Sequence, residues 1–294
     1  MPVRAPRPTP PRALALLAAA LLAACAPGGA AEGPTPGAQA PPAPLPTLMP
    51  TPTGAPAPPP GPTLAPADTG WLAAAPGAEL RRLRVSVAGQ EAPVSVVRLD
   101  PALVRFSVGY SPDERPPLSV WAARAGALAV INGGFFDADG RSVALLVHGG
   151  RPVGASYEGR GGMFAVAPDG AVSLRALADA PYDPAEPLAE ALQGWPVLVR
   201  PGGVAAYTYE DGARDRRSAL GLDREGRVLL IAAPTAAFTL AELSAWLAAA
   251  DLGLDSAVNL DGGASTGLML LSAEAPERID AFSPLPIVLI AHPR

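Results

Sequence analysis

The sequence contains no lysine, one cysteine, two histidines and two asparagines in 294 residues. Every fixed side-chain cation is therefore an arginine. With a formal charge of −5, and only Arg4, Arg7 and Arg12 against Glu32 and Asp68 before residue 69, the bulk of the chain is acidic. Contact with nucleic acid phosphates demands a basic face, so no nucleic acid partner is expected. The lone Cys25 excludes an intramolecular disulfide and a thiolate-rich metal site. No HExxH, CxxC, phosphate-loop or Gly-x-Ser-x-Gly pattern occurs, which argues against zinc protease, nucleotide-binding and serine hydrolase chemistry. His148 and His292 are far apart in sequence and neither is assigned a catalytic role. No metal site is expected and no cofactor is assigned. Aromatics make up 5% while hydrophobic residues reach 49%, which points to a core of Ala, Leu and Val with closely packed backbones.

What is abundant is proline, 38 residues in all, crowded into the first quarter. Ahead of that stretch, three arginines precede an uninterrupted Ala/Leu run, Ala13–Ala24, closed by Leu22-Ala23-Ala24-Cys25. Twelve helical residues rise only about 18 Å, too short for a ~30 Å hydrocarbon core. The pattern resembles a bacterial lipoprotein signal, with residues 1–25 as signal peptide and lipidation cysteine. Residues 26–69, rich in Pro and Ala and almost uncharged, cannot bury enough surface to fold and read as an extended, semi-rigid tether. A globular domain over 70–294 follows, exported and held to the cell envelope through a lipid anchor.

From Trp71 onward short apolar runs alternate with turn signals, which predicts an α+β fold, mostly antiparallel sheet with a few packed helices in a single domain. The expected strands are 94–99, 105–110, 128–132, 143–147, 163–167, 197–200, 218–223, 228–232, 257–260 and 286–291. Pro168-Asp169-Gly170 and Asp223-Arg224-Glu225-Gly226 predict hairpin turns. Thr239-Leu240-Ala241-Glu242 is a capping box opening a helix near 240–250. Ser119–Ala127 reads as a weaker helix, and Asp183-Pro184-Ala185-Glu186 as the start of a third that stops at Gly194.

Both asparagines stand at the end of an apolar strand just before glycines, in Asn132-Gly133-Gly134-Phe135-Phe136 and Asn259-Leu260-Asp261-Gly262-Gly263-Ala264-Ser265-Thr266. A residue this rare is not expected twice in such similar settings by chance. Glycines allow close backbone approach to a ligand and successive amides can form an anion-binding nest. Asn offers donor and acceptor together, and Asp261 adds a carboxyl group for acid or base work. Since neighbouring strand residues point to opposite faces, one of Arg216 and Arg217 is expected outward. Asp137-Ala138-Asp139-Gly140 reads as a turn rather than a cation site, Glu158–Gly162 as a loop able to cover a pocket, and Trp195 as either a sugar platform or core.

These segments, with Arg217-Ser218-Ala219-Leu220-Gly221 followed by Asp223 and Gly226 and the helix preceding the Asp-Gly-Gly loop, resemble the ordered motif series of the phosphodiester glycosidase domain family, that of the mannose-6-phosphate uncovering enzyme. The similarity spans roughly residues 85–292, with Ala264 where the family has a third glycine. The resemblance implies hydrolysis of a sugar-1-phosphodiester in a glycan or cell-envelope polysaccharide. On that basis Asp261, Arg217 and Asn132 are the expected catalytic residues. Asn259, Gly133, Gly134, Gly262, Gly263, Ser265 and Thr266 are expected to bind a phosphorylated saccharide. The alternative is a non-catalytic, polysaccharide-binding envelope lipoprotein.

Overall fold

A computed structural model describes residues 67–294; the expected signal, Cys25 and nearly all of the tether lie outside the described residues. The largest of three sheets has the strand order β1 (Leu72–Ala75), β2 (Ala78–Val87), β3 (Gln90–Leu99), β14 (Val228–Phe238), β13 (Asp215–Asp223), β15 (Leu254–Asn259), β11 (Val197–Arg200) and β12 (Val204–Ala205). A second has β7 (Arg151–Val153), β6 (Leu146–His148), β10 (Glu190–Gly194), β8 (Gly162–Val166) and β9 (Val172–Ala176). The third has β17 (Glu277–Ile279), β16 (Leu268–Leu270), β5 (Ala129–Asn132), β18 (Ile287–Pro293) and β4 (Val104–Tyr110). Helices α1 (Leu118–Ala125) and α2 (Leu240–Ala249) complete a mostly antiparallel α+β domain.

Period-two alternation explains how three sheets share one core. In β14, Leu230 and Ala232 enter a common central cluster, while Leu229 and Ile231 face Leu243 and Leu247 of α2. In β5 and β18, Ile131 and Leu289 join the same centre, while Val130 and Val288 meet Leu118 and Ala122 of α1. In β8, Phe164 points inward, its ring edge-on to Phe106 at 5.8 Å, whereas Met163 packs against Leu177 on the opposite side. Strands buried on both faces read as continuous apolar runs, which is how the sequence displays them. Fully burying one such side chain contributes about 1.5–3 kcal/mol.

The expected helices at 240–250 and 119–127 are present as α2 and α1, and the Thr239 capping box forms in both directions. The hairpin turns predicted at Pro168–Gly170 and Asp223–Gly226 join β8 to β9 and β13 to β14. The helix expected after Asp183 does not form. Asp183 instead closes a local turn, accepting the Ala185 amide through Oδ1, and Glu190–Gly194 pairs as β10 with both β6 and β8. Two ladders of backbone hydrogen bonds override a local helical start.

Candidate active site

Three strand ends meet at one place. Asn132 closes β5, Asn259 closes β15, and Arg217 lies in β13 on the far side of a register shift between Asp215 and Arg217. Such an irregularity re-aims the side chains around it. The link between sheets is made by Asn132, which is fully buried. Its Nδ2 donates to the Asp261 carbonyl at 2.7 Å, and its Oδ1 accepts from Ser218 Oγ at 2.7 Å and from the Gly267 amide at 3.1 Å. The Asp261 amide returns a bond to the Gly133 carbonyl at 3.1 Å. Asn132 is thus spent on protein partners and braces the Asp-Gly-Gly loop.

Gly133 and Gly134 also serve packing. A Cβ on Gly133 would fall 2.4 Å from Ile287, and one on Gly134 would fall 2.5 Å from the Gln193 carbonyl oxygen. Neither glycine has a positive φ, so the conformational reason for expecting a nest there does not apply. Gly263 is different: its φ of 57° needs glycine, and a Cβ would also crowd Asp215 Oδ2 at 3.0 Å. Gly263–Ser265 forms a single 3-10 turn in which the amides of Ser265 and Thr266 bond back to Gly262 and Gly263. The hydroxyls of Ser265 and Thr266 are buried, Ser265 beside Ser283 at 3.4 Å and Thr266 without a partner among the described residues.

Asp261 is half-buried, its Oδ1 accepting the Gly262 amide at 3.0 Å. Burial pushes its carboxyl above the ordinary value; the Ser265 hydroxyl and the Gly262 amide oppose this, and the nearby Asp215 carboxylate adds to it. Arg217 is held by two carbonyls, Nε to Phe238 at 3.1 Å and Nη2 to Ala213 at 2.5 Å. Its Nη1 lies 4.0 Å from where a Gly262 Cβ would be. Arg217 forms no ion pair among the described residues, and burial lowers its pKa against the pull of Asp215 and Asp211. Asp215 and Asp211 thus act on this guanidinium from beyond ion-pair distance. Neither member of the arginine pair is outward, since Arg216 is 7% exposed.

Asn259 is buried, with Nδ2 donating to the Trp195 carbonyl at 2.9 Å and Oδ1 without a partner among the described residues. Trp195 is 36% exposed and meets Tyr207 edge-on at 5.9 Å. Both line a cavity of about 200 Å³ together with Arg160, so the tryptophan lies at the surface rather than in the core. The loop expected near 158–162 reaches the same place. Tyr157, whose amide donates to Gln193 Oε1 at 3.0 Å, titrates above its usual value chiefly through burial and partly because of the charge on Asp261. Tyr157, Tyr207 and Asp215 were not singled out from the sequence. Only Asp215 carried a usable signal, its position two residues before Arg217 on one strand. Asp137 is a turn former: its Oδ1 accepts the amides of Asp139 and Arg141.

The model of the phosphodiester glycosidase family matches residues 125–288, a span containing every motif that converges here. No curated protein matches. Among solved structures, the catalytic domain of zebrafish N-acetylglucosamine-1-phosphodiester alpha-N-acetylglucosaminidase, auto-inhibited by its pro-peptide, is 21% identical with a TM-score of 0.58, covering 78% of this chain and 85% of that one. A hypothetical protein from Synechocystis is 15% identical, TM-score 0.52, over 78% of this chain and 64% of that one. A protein from Burkholderia pseudomallei described as exported is 15% identical, TM-score 0.52, over 71% and 76%. These likenesses concern the fold, while the family match spans more than half the chain and encloses the braced Asp-Gly-Gly loop, so the chain belongs to the phosphodiester glycosidase family.

Proposed function

We propose that this domain hydrolyses a sugar-1-phosphodiester, releasing a free sugar and a phosphate monoester. The observation that carries the reading is the placing of an arginine that forms no ion pair among the described residues beside a half-buried aspartate on the adjoining glycine loop. Arg217 takes the phosphate oxygens and stabilises the charge that collects there as the bond to the anomeric carbon breaks. Water supplies the oxygen that replaces it, and Asp261 handles the proton passing between water and the leaving group. Trp195 and Tyr207 offer ring faces to the pyranose, and Asn259, buried behind them, steadies the Trp195 backbone through its Nδ2 bond to that carbonyl. Asn132, Gly133 and Gly134 act from behind as positioning residues, and Gly262, Gly263, Ser265 and Thr266 set the shape of the loop. Purified protein is expected to release free sugar from a sugar-1-phosphodiester, and Asp261→Ala to release none. Unchanged release by that variant refutes the role given to Asp261.

We also infer export and a lipid anchor on Cys25, with residues 26–69 spacing the domain from a membrane and an envelope saccharide as substrate. Support comes from the Leu22-Ala23-Ala24-Cys25 sequence and from the description of the Burkholderia neighbour as exported. Among the described residues no helix is long and apolar enough to cross a membrane. Mass spectrometry of the mature N-terminus is expected to find diacylglycerol on Cys25; an unmodified start at another residue refutes the anchor.

A further inference from the structure

Arg216, next in sequence to the arginine of the active site, serves a different cavity. It lines a groove of about 540 Å³ whose floor includes Ser95 of β3 and whose wall is the 277–282 segment. The guanidinium donates through Nε to the Pro234 carbonyl at 3.0 Å and through Nη2 to the Asp280 carbonyl at 2.9 Å. Its Nη1 is buried and has no partner among the described residues. A buried donor left unpaired costs about 1–3 kcal/mol and calls for an explanation.

Covering this group is Phe282, whose ring centroid lies 3.8 Å from the guanidinium carbon. That ring is 76% exposed, which is unusual for a large apolar side chain and leaves it free to turn aside. The charges around the groove are unequal. Arg82 bonds Glu277 at 2.5 Å and Arg278 bonds Asp280 at 3.0 Å, so both carboxylates are taken, with Glu277 also accepting Ser95 Oγ at 2.9 Å. Arg84 lines the same groove, is exposed, and forms no ion pair among the described residues. Two guanidinium groups without an ion pair among the described residues, beside an exposed aromatic ring, are out of character for a chain of net charge −5.

The groove also adjoins the loop of the proposed active site. The amides of Phe282 and Ser283 both donate to the Ala264 carbonyl, at 2.7 and 3.1 Å, and a Cβ on Gly262 would lie 2.9 Å from the Arg216 carbonyl oxygen. We propose that this groove is a second, non-catalytic binding site for a phosphate-bearing saccharide chain. In it the Phe282 ring swings off Arg216 to stack on a sugar, and Arg216 Nη1 and Arg84 receive the phosphate. Arginine provides the fork geometry for the anion, and the ring face provides the apolar contact for the pyranose. A polymer held there and at the 261–266 loop at once gains from effective concentration without any new contact at the reacting bond.

The proposal goes beyond the hydrolase reading and is tested by binding alone. Full-length protein is titrated with dextran phosphate, with unmodified dextran and with inorganic phosphate, following tryptophan fluorescence or heat. Wild type is expected to bind dextran phosphate, more weakly as salt rises, and unmodified dextran at least tenfold less well. Phe282→Ala and Arg84→Glu, both surface changes, are expected to weaken dextran phosphate binding at least tenfold with unaltered thermal melting. Asp261→Ala is expected to retain binding of dextran phosphate through the groove, whether or not it has lost turnover. Full binding by Phe282→Ala and Arg84→Glu overturns the site, as does equal affinity for the two dextrans. Loss of binding only in Asp261→Ala also overturns it, since the anion would then sit at the 261–266 loop.

Discussion

Asn132 shows how one residue can be conspicuous in a sequence for a reason that the sequence hides. Rarity and the following glycines mark it, but its amide contacts only protein: Ser218, Gly267 and Asp261 are its partners. Asn132→Ala leaves three buried polar groups unpaired, and we expect a loss of about 3 kcal/mol in urea denaturation, with turnover falling as the Asp261 loop loosens. The place of Asp261, on a glycine loop at a strand end, was legible, while its catalytic role is the one proposed above. Asp261→Asn is expected to lower kcat at least ~100-fold, the scale of a lost proton-transfer group. Because burial raises the folded carboxyl above 3.8, wild type should show a kcat/KM inflection above that value, and Asp261→Asn should lack it. An inflection that survives the substitution assigns it to another group. Tyr157 and Tyr207 could not be read beforehand, because their approach to the site depends on how a hairpin loop and a sheet edge fold over it.

At the level of elements, the signals that proved readable are local ones. The Thr239 capping box is decided by four residues, and it forms with Thr239 Oγ1 accepting the Glu242 amide at 3.2 Å and Glu242 accepting the Thr239 amide at 3.0 Å. Thr239→Ala removes one half of the box and the donor to Glu210 at 2.7 Å; we expect about 1 kcal/mol of destabilisation, visible as a lower Tm. A helix start at Asp183 looked equally well signed and lost, because β10 completes a sheet whose other strands are supplied from elsewhere. Strand β2 was missed for a related reason. Its arginines obscure the apolar alternation, and two of the three are met by carboxylates distant in sequence, Asp68 for Arg81 and Glu277 for Arg82. Elements fixed by partners far along the chain are the ones a single sequence conceals.

Across the whole molecule, the folded state should register acid through groups whose burial is a property of the packed sheets. His292 is 7% exposed on β18, its Nε2 sharing a hydrogen with Ser107 Oγ at 2.7 Å on the paired strand β4. Both histidines of the chain line one cavity beside α1, although they are 144 positions apart by their numbers in the sequence. Burial first, and the neighbouring Arg105 second, lower the His292 pKa below 6.5. Between the folded and unfolded values the unfolded chain binds the extra proton, so this contribution to stability is complete above pH 6.5 and is lost as pH falls through that window. Glu190 and Asp261 act in the opposite sense. Burial raises both carboxyls, so ionising them penalises the fold, and the penalty is relieved as pH falls through their folded values. Thermal melts from pH 8 downward should therefore show stability declining below 6.5 in wild type, and His292→Gln should flatten that part of the curve. A curve of unchanged slope in His292→Gln would mean that the imidazole pays no penalty for protonation in the fold, and that the acid sensitivity arises at another group.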